Sequence, residues 1–478
     1  MNKETRTQKI AHIIKTTVEP YGKQSIFWRG NPTPMNVYQI PLEYLIYNKY
    51  NGRILSRTKT LQKQGRSIDP ETEEGKKTIE GLLWDSKKTK NEITKKDITD
   101  KGQLKVGIIT SDGIVIDGNR RLMLLNKIKP KYSHFNAIVL PVALEDDPIE
   151  VEKLETTYQM GEDEKEGYNP IEKYLKAKEI YKKLIEQHTH DESIKEIAEW
   201  MGEEKSAIED WLGVVKIIDD YLEYLQYDGI YAMADTSGDG KEDLFLHIKK
   251  WLNTFTEKES GKAFDGYQSN DVDDLKQICF DYVRAKIGKS YDGKIFRNIA
   301  GGQKKNHFFG DKKVWKSFSE EHFASTIPIA EKINSEYPID YNSENIEATL
   351  SNRDSHFRDA VLEKLTDNID KHVTDLGYSR AADKPLELVG SAKKAIEAID
   401  QQHRSFSTPQ VVEQIEELIQ KLMGMLKKKS PEETLSIVAD FLQSIEFDTN
   451  SNDKVELLNK IKDIEKIAYQ MEKDVKAL

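Results

Sequence analysis

The sequence predicts an α+β protein, with a small mixed α/β domain at the N-terminus and a large all-α remainder. Three observations lead to this class. A chain of 478 residues is too long for one hydrophobic core, short β-rich segments occur only before residue 148, and helical periodicity dominates after it. We expect a mixed domain over 1–148, a helix-turn-helix segment over 149–220, a helical middle region over 221–305 and an all-α region over 306–478.

The first domain is predicted to alternate short strands with helices. Residues 36–48 mix β-branched and aromatic side chains, which is typical of a strand, and Lys76–Trp84 is predicted as a helix. Asp112 and Gly113 suit a type I′ turn between two short strands. Residues 119–128 then have the apolar spacing of a helix, and residues 136–144 form a buried strand.

The next segment is predicted to be helical and to contain a helix-turn-helix. Asn169 is a suitable N-cap, and Pro170 suits the first helical turn. Residues 191–218 read as two helices broken at Gly202. The expected recognition helix over 203–212 holds four acids and one lysine, so DNA phosphates should repel it. We therefore interpret this helix-turn-helix as a structural element that no longer reads DNA.

The charge is distributed unevenly along the chain. Residues 1–140 hold 26 Lys and Arg against 14 Asp and Glu, a net of +12, whereas the rest holds 46 against 69, a net of −23. This indicates that the first domain meets an anionic partner.

One cysteine, Cys279, excludes a disulfide framework. With no apolar run of spanning length and no signal-peptide core at the N-terminus, a cytoplasmic location is expected.

The junction in residues 111–127 carries the strongest functional signal. A β-rich run passes into a helix through Gly118, Asn119, Arg120 and Arg121. A helix start presents unpaired amides and the positive end of its dipole, which suits a phosphate. Glycine permits close approach, and arginine grips phosphate through two parallel hydrogen bonds. Because adjacent residues on a helix point in different directions, we expect one arginine to bind phosphate and the other to pair with an acid or face solvent.

Three segments, taken in order, resemble the ParB family within the wider ParB/sulfiredoxin-like fold. They are IPLEYLIYNKYNGR (40–53), DGNRRLMLL (117–125) and a third segment over 156–177 that contains TTYQ and YNPIEKYLKA. The resemblance covers about 37–218 and matches Asn51 and Arg53 in the first segment, Gly118, Arg120 and Arg121 in the second, and Gln159, Asn169, Pro170 and Glu172 in the third. The sequence departs from the family where Asn119 replaces a glutamate and where Thr156 and Thr157 stand for Glu-Asn.

The resemblance implies a ParB/sulfiredoxin-like nucleotide-binding domain coupled to a helix-turn-helix and a dimerising C-terminal part. It implies a nucleoside triphosphate with Mg²⁺, CTP being favoured, with hydrolysis expected to be slow if it occurs. The expected nucleotide-binding residues are Asn51, Arg53, Gly118, Asn119, Arg120, Arg121, Thr157 and Gln159. The expected role is a nucleotide-dependent switch in DNA partition or in defence against mobile DNA. DNA would meet the basic first domain rather than the acidic helix-turn-helix, and the C-terminal helices would form a homodimer or hold a protein partner.

Two alternatives remain open at the level of sequence. Asp117 is a candidate ligand of Mg²⁺ on the triphosphate. In a metal-dependent nuclease or nucleotidase, Asp117 and a nearby acid such as Asp112 or Glu155 would hold the metal, with Asp117 and Glu155 as the candidate catalytic residues. Asp117 alone has a simpler interpretation, which we prefer, as the N-cap of the helix that follows. The second alternative is a non-catalytic interaction scaffold.

Overall fold

The computed structural model divides the chain into two compact units, Met1–Asp383 and Lys384–Leu478. The structure describes residues 1–129, 131–158, 169–234, 241–256, 260–285, 293–382, 384–426, 430–445 and 454–477. The predicted limits at 148, 220 and 305 all fall inside the first unit, which joins an α/β part to a helical body. None of the described helices is long and apolar enough to cross a membrane.

The α/β part is built on one mixed six-stranded sheet. Its strands are β1 (Gly22–Trp28), β2 (Asn31–Pro41), β3 (Ile46–Tyr47), β4 (Gly107–Ile109), β5 (Ile114–Asp117) and β6 (His134–Val139). They lie in the order β1-β2-β6-β4-β5-β3. The β4–β6 and β3–β5 pairs are parallel, and the other three pairs are antiparallel.

Helices cover both faces of this sheet. They are α1 (Lys3–Thr16), α2 (Leu55–Lys63), α3 (Glu73–Ser86), α4 (Lys88–Lys101), α5 (Asn119–Lys127) and α6 (Pro148–Thr156). Successive strand residues alternate between two cores: Ile109 packs with α1, α3 and α5, whereas Ile108 packs with α6. The period-2 alternation of a strand thus places a helical layer on each side of the sheet.

The predicted α+β class is confirmed, and the helices predicted at 76–84 and 119–128 correspond to α3 and α5. The strand predicted at 136–144 overlaps β6 but is too long, because β6 ends at Val139. The strand predicted at 36–48 is instead the end of β2 and all of β3, separated by a short 3-10 helix over Leu42–Tyr44. The turn between β4 and β5 is not of the predicted type I′. Gly113 takes a φ of +85° and donates to the Thr110 carbonyl, and a register shift follows, so a three-residue loop closes the hairpin. A type I′ turn needs two positive φ angles. Arg29 and Gly30, between β1 and β2, have them, at +48° and +79°.

The helical body follows as α7 (Pro170–Leu184), α8 (His190–Met201), α9 (Lys205–Tyr224), α10 (Lys241–Thr256), α11 (Ser269–Ala285), α12 (Gly293–Ala300), α13 (Lys312–Glu336) and α14 (Ile346–Arg380). The predicted helix-turn-helix consists of α8 and α9, with Gly202 at a φ of +66° between them. The second helix does not stop near 212 but continues to Tyr224. Its apolar residues Ile208, Val214 and Ile218 are buried, which favours this continuation.

The second unit contains α15 (Pro385–Glu397), α16 (Pro409–Leu426), α17 (Pro431–Gln443) and α18 (Lys454–Ala477). None of its described residues is buried. Large apolar side chains are exposed on all four helices, among them Leu386, Leu422, Phe441 and Ile464. Within the described residues, this unit therefore has apolar stripes but no core of its own.

Candidate ligand-binding cleft

A cleft of about 780 Å³ opens beside the start of α5. Its walls come from β1, the 51–53 loop, α4, the 102–106 segment, the central strands and the first turns of α5. The lining residues that bear on its chemistry are Gln24, Asn51, Arg53, Thr94, Asp97, Gln103, Lys105, Asp117, Gly118, Asn119, Arg120, Arg121 and Tyr158. Segments far apart in sequence thus converge on one space, and Asn51, Arg53 and residues 117–121 are among those predicted.

Gly118 sets the direction of α5. It is the N-cap residue with a φ of +104°, a left-handed conformation that side chains other than glycine rarely adopt. A Cβ there would also lie 2.8 Å from the Phe135 ring. The first amides of any α-helix lack intrahelical acceptors, and here the first turn lines the cleft. The junction therefore presents a helix start, with its positive dipole end, to the open space.

The N-cap interpretation of Asp117 is wrong, because the glycine turn moves Asp117 one residue before the cap. The Asp117 carboxylate instead accepts from Arg121 Nη2 at 2.5 Å, one helical turn away. Arg121 also donates to the carbonyls of Lys105 and Val106, the latter at 3.0 Å. The prediction that one of the two arginines pairs with an acid is thus confirmed for Arg121, which ties α5 to the segment before β4.

The Arg120 side chain extends in a different direction from that of Arg121, towards α4. Its Nε donates to the side-chain oxygen of Asn91 on α4, and Asn91 is anchored in turn by donating to the carbonyls of Leu83 and Trp84 at 3.1 and 2.8 Å. Arg120 therefore reaches across the gap between α5 and α4, and it is among the residues that line the cleft. Phosphate binding by Arg120 stays a prediction.

The Asn119 side chain connects the first two segments of the resemblance, residues 40–53 and 117–125. Its side-chain oxygen accepts from the Asn48 backbone N–H at 2.9 Å, and its amide donates to the Val115 carbonyl at 2.8 Å. The side chain of Asn51 accepts from the Arg53 backbone N–H at 3.1 Å, which shapes the loop. Asn119 is only 3% exposed. The Asn119 side chain thus holds the 48–53 loop against α5. A glutamate at this position could accept from the loop but could not donate to the Val115 carbonyl, so it would not replace both bonds.

The same loop is fastened to the helical body. Glu172 on α7 accepts from the Ser56 backbone N–H at 2.9 Å and from its hydroxyl at 2.6 Å, so a carboxylate occupies the start of α2. One turn further, Lys176 contacts Glu152 at 3.1 Å and Glu155 at 3.3 Å on α6. Burial opposes the charge of Lys176, but the two carboxylates outweigh it and raise its pKa above the ordinary value. These contacts connect the cleft loop, α6 and the first helix of the body.

The carboxylates considered for a metal do not come together. Glu155 is buried against Lys176, while Asp112 sits in the β4–β5 turn, where it accepts from Thr110 and its carbonyl accepts from Arg6. Neither lines the cleft with Asp117. Among the described residues, no group of three His, Cys, Asp or Glu side chains is placed to hold a metal ion.

The third matched segment is placed only in part. Thr157 ends α6 and does not line the cleft, whereas its neighbour Tyr158 does. Gln159 lies outside the described residues. Asn169 stands at the N-cap position of α7 with Pro170 after it, but its side chain makes no capping bond. The sequence reasoning also missed the α4 wall, including Thr94 and Asp97, because a Lys/Thr/Asp-rich segment gives no periodic signal that would place it beside α5.

The fold and the cleft define a class of protein, a mixed α/β part with an open cleft joined to a helical body. No protein-family model matches the sequence, and no curated protein or solved structure matches it either. What the cleft binds must therefore follow from its own geometry and charge.

Proposed function

We propose that the cleft binds a nucleoside triphosphate, CTP being favoured, and that the chain is a ParB-like, nucleotide-dependent switch that associates with DNA. The main support for this proposal is that Arg53, Arg120 and the start of α5 all line the same open cleft. Helix starts and arginine guanidinium groups both favour phosphate oxygens. A volume of about 780 Å³ also lies in the usual range for small-ligand sites.

The lining residues fall into two groups, one suited to phosphate and one suited to a base. Gly118, Arg120, Arg53 and Lys105 form the anion-binding group. Leu104, Val106, Ile108 and Ile138 are apolar, and Gln24 adds an amide that can hydrogen-bond to a base edge. The Gln103 amide is instead held by the backbone of Lys105 and Asn136. We assign the triphosphate to the first group and the base to the second.

Asp117 is the carboxylate we assign to a Mg²⁺ carried by the nucleotide. It lines the cleft beside Gly118 and its side chain is 27% exposed. Mg²⁺ typically keeps several waters and takes one or two carboxylates together with phosphate oxygens. One carboxylate fits that pattern only when phosphate is present, so Mg²⁺ would arrive with the nucleotide and neutralise part of its charge.

The contacts behind the cleft support a switch. Arg53 is followed directly by α2, whose start is held by Glu172 on α7. A phosphate drawn to Arg53 would therefore pull on a segment fastened to the helix that precedes α8 and α9. DNA is assigned to the basic α/β part, because the start of α9 exposes Glu204 and Glu209 to solvent and Lys249 pairs with Asp210.

The second unit is assigned to self-association. Four amphipathic helices with no buried residue among those described leave their apolar stripes uncovered. A second copy of the same chain would supply matching stripes, as in a symmetric homodimer.

Calorimetric titration of the full chain with CTP, ATP and GTP in the presence of Mg²⁺ tests the proposal. We expect CTP to bind selectively and Arg120→Ala to abolish that binding while thermal unfolding changes little, because the substitution removes charge from a cleft rather than volume from a core. Arg120→Lys keeps the charge but loses the planar fork, so it should bind weakly. Arg358→Ala on α14 is the matched control and should bind as the wild type does.

The outcomes separate the candidate functions. Selective binding of ATP or GTP would support the cleft as a nucleotide-binding site but reject CTP as its ligand. Unchanged CTP affinity in Arg120→Ala would reject the assignment of phosphate to α5. If no nucleotide binds, the interaction scaffold is the better description.

A further inference from the structure

A second basic feature lies outside the cleft, around Trp84 at the end of α3. The ammonium of Lys127, at the end of α5, lies 4.7 Å from the centre of the Trp84 ring, and that of Lys95, on α4, lies 5.8 Å from the same ring. One indole thus brings together cations from two other helices. Neither lysine lines the cleft, whose α4 wall is formed by Thr94, Asp97 and Ile98.

Two further lysines extend this feature along α3. Lys76 lies two turns before Trp84, and Lys129 follows α5. Burial and the neighbouring Lys76 lower the pKa of Lys129, and the acids around it, Glu43, Glu73 and Glu80, compensate only in part. Glu80 itself accepts from the Tyr47 hydroxyl at 2.7 Å and from the Asn126 amide at 3.1 Å, so it is directed inward. We call Lys76, Lys95, Lys127 and Lys129, with Trp84, the lysine face.

We infer that the lysine face is the surface on which the protein binds the phosphate backbone of duplex DNA. This inference rests on the DNA association in the proposed function and gives it a location. Lysine is a compact point charge on a flexible stem, which suits phosphates without reading sequence. The cations stand on three helices and a loop, so they form a broad surface and not a pocket for one phosphate group.

The chemistry of the face favours duplex over single-stranded nucleic acid. Proteins that bind single strands stack bases on exposed aromatic rings. Here Trp84 is half-buried, and its ring is already covered by two ammonium groups. The face also has no arginine among its four cations, so it lacks the planar fork that recognises phosphorylated side chains.

The test is fluorescence anisotropy of the full chain with a labelled mixed-sequence duplex, over about 50 to 200 mM salt and without nucleotide. We expect Lys95→Gln with Lys127→Gln to weaken binding about tenfold and to reduce the slope of log affinity against log salt by about 1.8, the value for two lost phosphate contacts. Lys332→Gln with Lys364→Gln, on α13 and α14, removes the same charge from the helical body and should leave both quantities unchanged. Thermal unfolding of both double variants should match the wild type.

Equal duplex binding by the Lys95/Lys127 variant and the wild type would overturn the inference, as would stronger competition by single-stranded RNA or a poly-glutamate peptide than by unlabelled duplex. The calorimetric titration with CTP keeps the two proposals apart. Loss of duplex binding with CTP binding intact in the Lys95/Lys127 variant supports the lysine face. Absence of duplex binding in a wild type that binds CTP rejects the face alone, whereas duplex binding without nucleotide binding rejects the cleft alone.

Discussion

The α/β part and the helical body both bring polar side chains together, but with opposite results. Beside α5, Arg120 and Asp117 line an open cleft. In the body, Asp281 accepts from Tyr224 at 2.9 Å and from His322 at 3.0 Å, and the side chains of Asp281 and His322 are almost completely buried. The first group borders open space, whereas the second group is closed in by its own packing and hydrogen bonds. Convergence on space, rather than polarity alone, therefore separates a candidate site from a structural network.

The largest effect on stability should come from the body's network. Asp281→Ala leaves the Tyr224 hydroxyl and a His322 ring nitrogen without their shared acceptor, at a position where Asp281 and His322 are buried. Each buried donor left without a partner costs about 1 to 3 kcal/mol. Urea unfolding should show this loss, while Asp273→Ala, an exposed neighbour on α11, should stay near the wild type. A loss below about 1 kcal/mol would mean that water reaches the network, and the contrast with the cleft would fail.

A second buried group of the helical body, His307, should make the stability of the protein depend on pH. Burial lowers the pKa of His307 from 6.5 to about 4, so the folded protein holds this ring neutral at pH 7. As the pH falls below 6.5, the unfolded chain takes up a proton that the folded chain does not, so stability is lost until about pH 4. The free energy of unfolding should fall by about 2 kcal/mol between pH 7 and pH 5 through this residue alone. Urea midpoints at the two pH values measure this loss.

The control for this pH effect is His307→Phe, which keeps a ring among the neighbouring aromatic side chains but cannot titrate. It should lose less stability between the two pH values than the wild type does. An equal loss in both proteins would assign the acid sensitivity to other groups.

A smaller effect on stability is expected where the cleft depends on backbone geometry. Gly118→Ala forces a side chain into a positive φ and towards the Phe135 ring, which costs about 1 to 2 kcal/mol. It also turns the start of α5, so nucleotide affinity should fall more than stability does. Gly22→Ala, at a position with open space and no positive φ, is the matched control. Normal nucleotide affinity in Gly118→Ala would show that the helix start does not bind the ligand.

The sequence predicted the parts of the site that are adjacent along the chain. Gly118, Arg120 and Arg121 form one local junction, and local rules of helix starts suffice to place them. The N-cap prediction for Asp117 is wrong because Gly118 is the cap, one residue later, with a positive φ and with Phe135 of β6 leaving no room for a side chain there. The α4 wall was missed because tertiary contacts bring it to the cleft, among them the hydrogen bond from Arg120 to Asn91 and the packing of Ile98 in the core. Long-range contacts of this kind leave no local pattern.

The smallest effect on stability is expected in the second unit, although its effect on assembly should be complete. Leu418 and Leu422 are one turn apart on α16 and are 38% and 43% exposed, so neither is part of a closed core and replacing both by Glu should cost the folded monomer little. Exposed substitutions of this kind change stability by less than about 0.5 kcal/mol.

In a homodimer the same leucines would lie in an apolar interface, and two buried, unpaired carboxylates would disrupt it. Light scattering should then show a dimer for the wild type and a monomer for Leu418→Glu with Leu422→Glu, while Glu413→Gln with Glu416→Gln, elsewhere on α16, stays dimeric. A wild type that is already monomeric would assign the stripes to a different protein, because helices with no buried residue among those described still need an apolar partner to form a core.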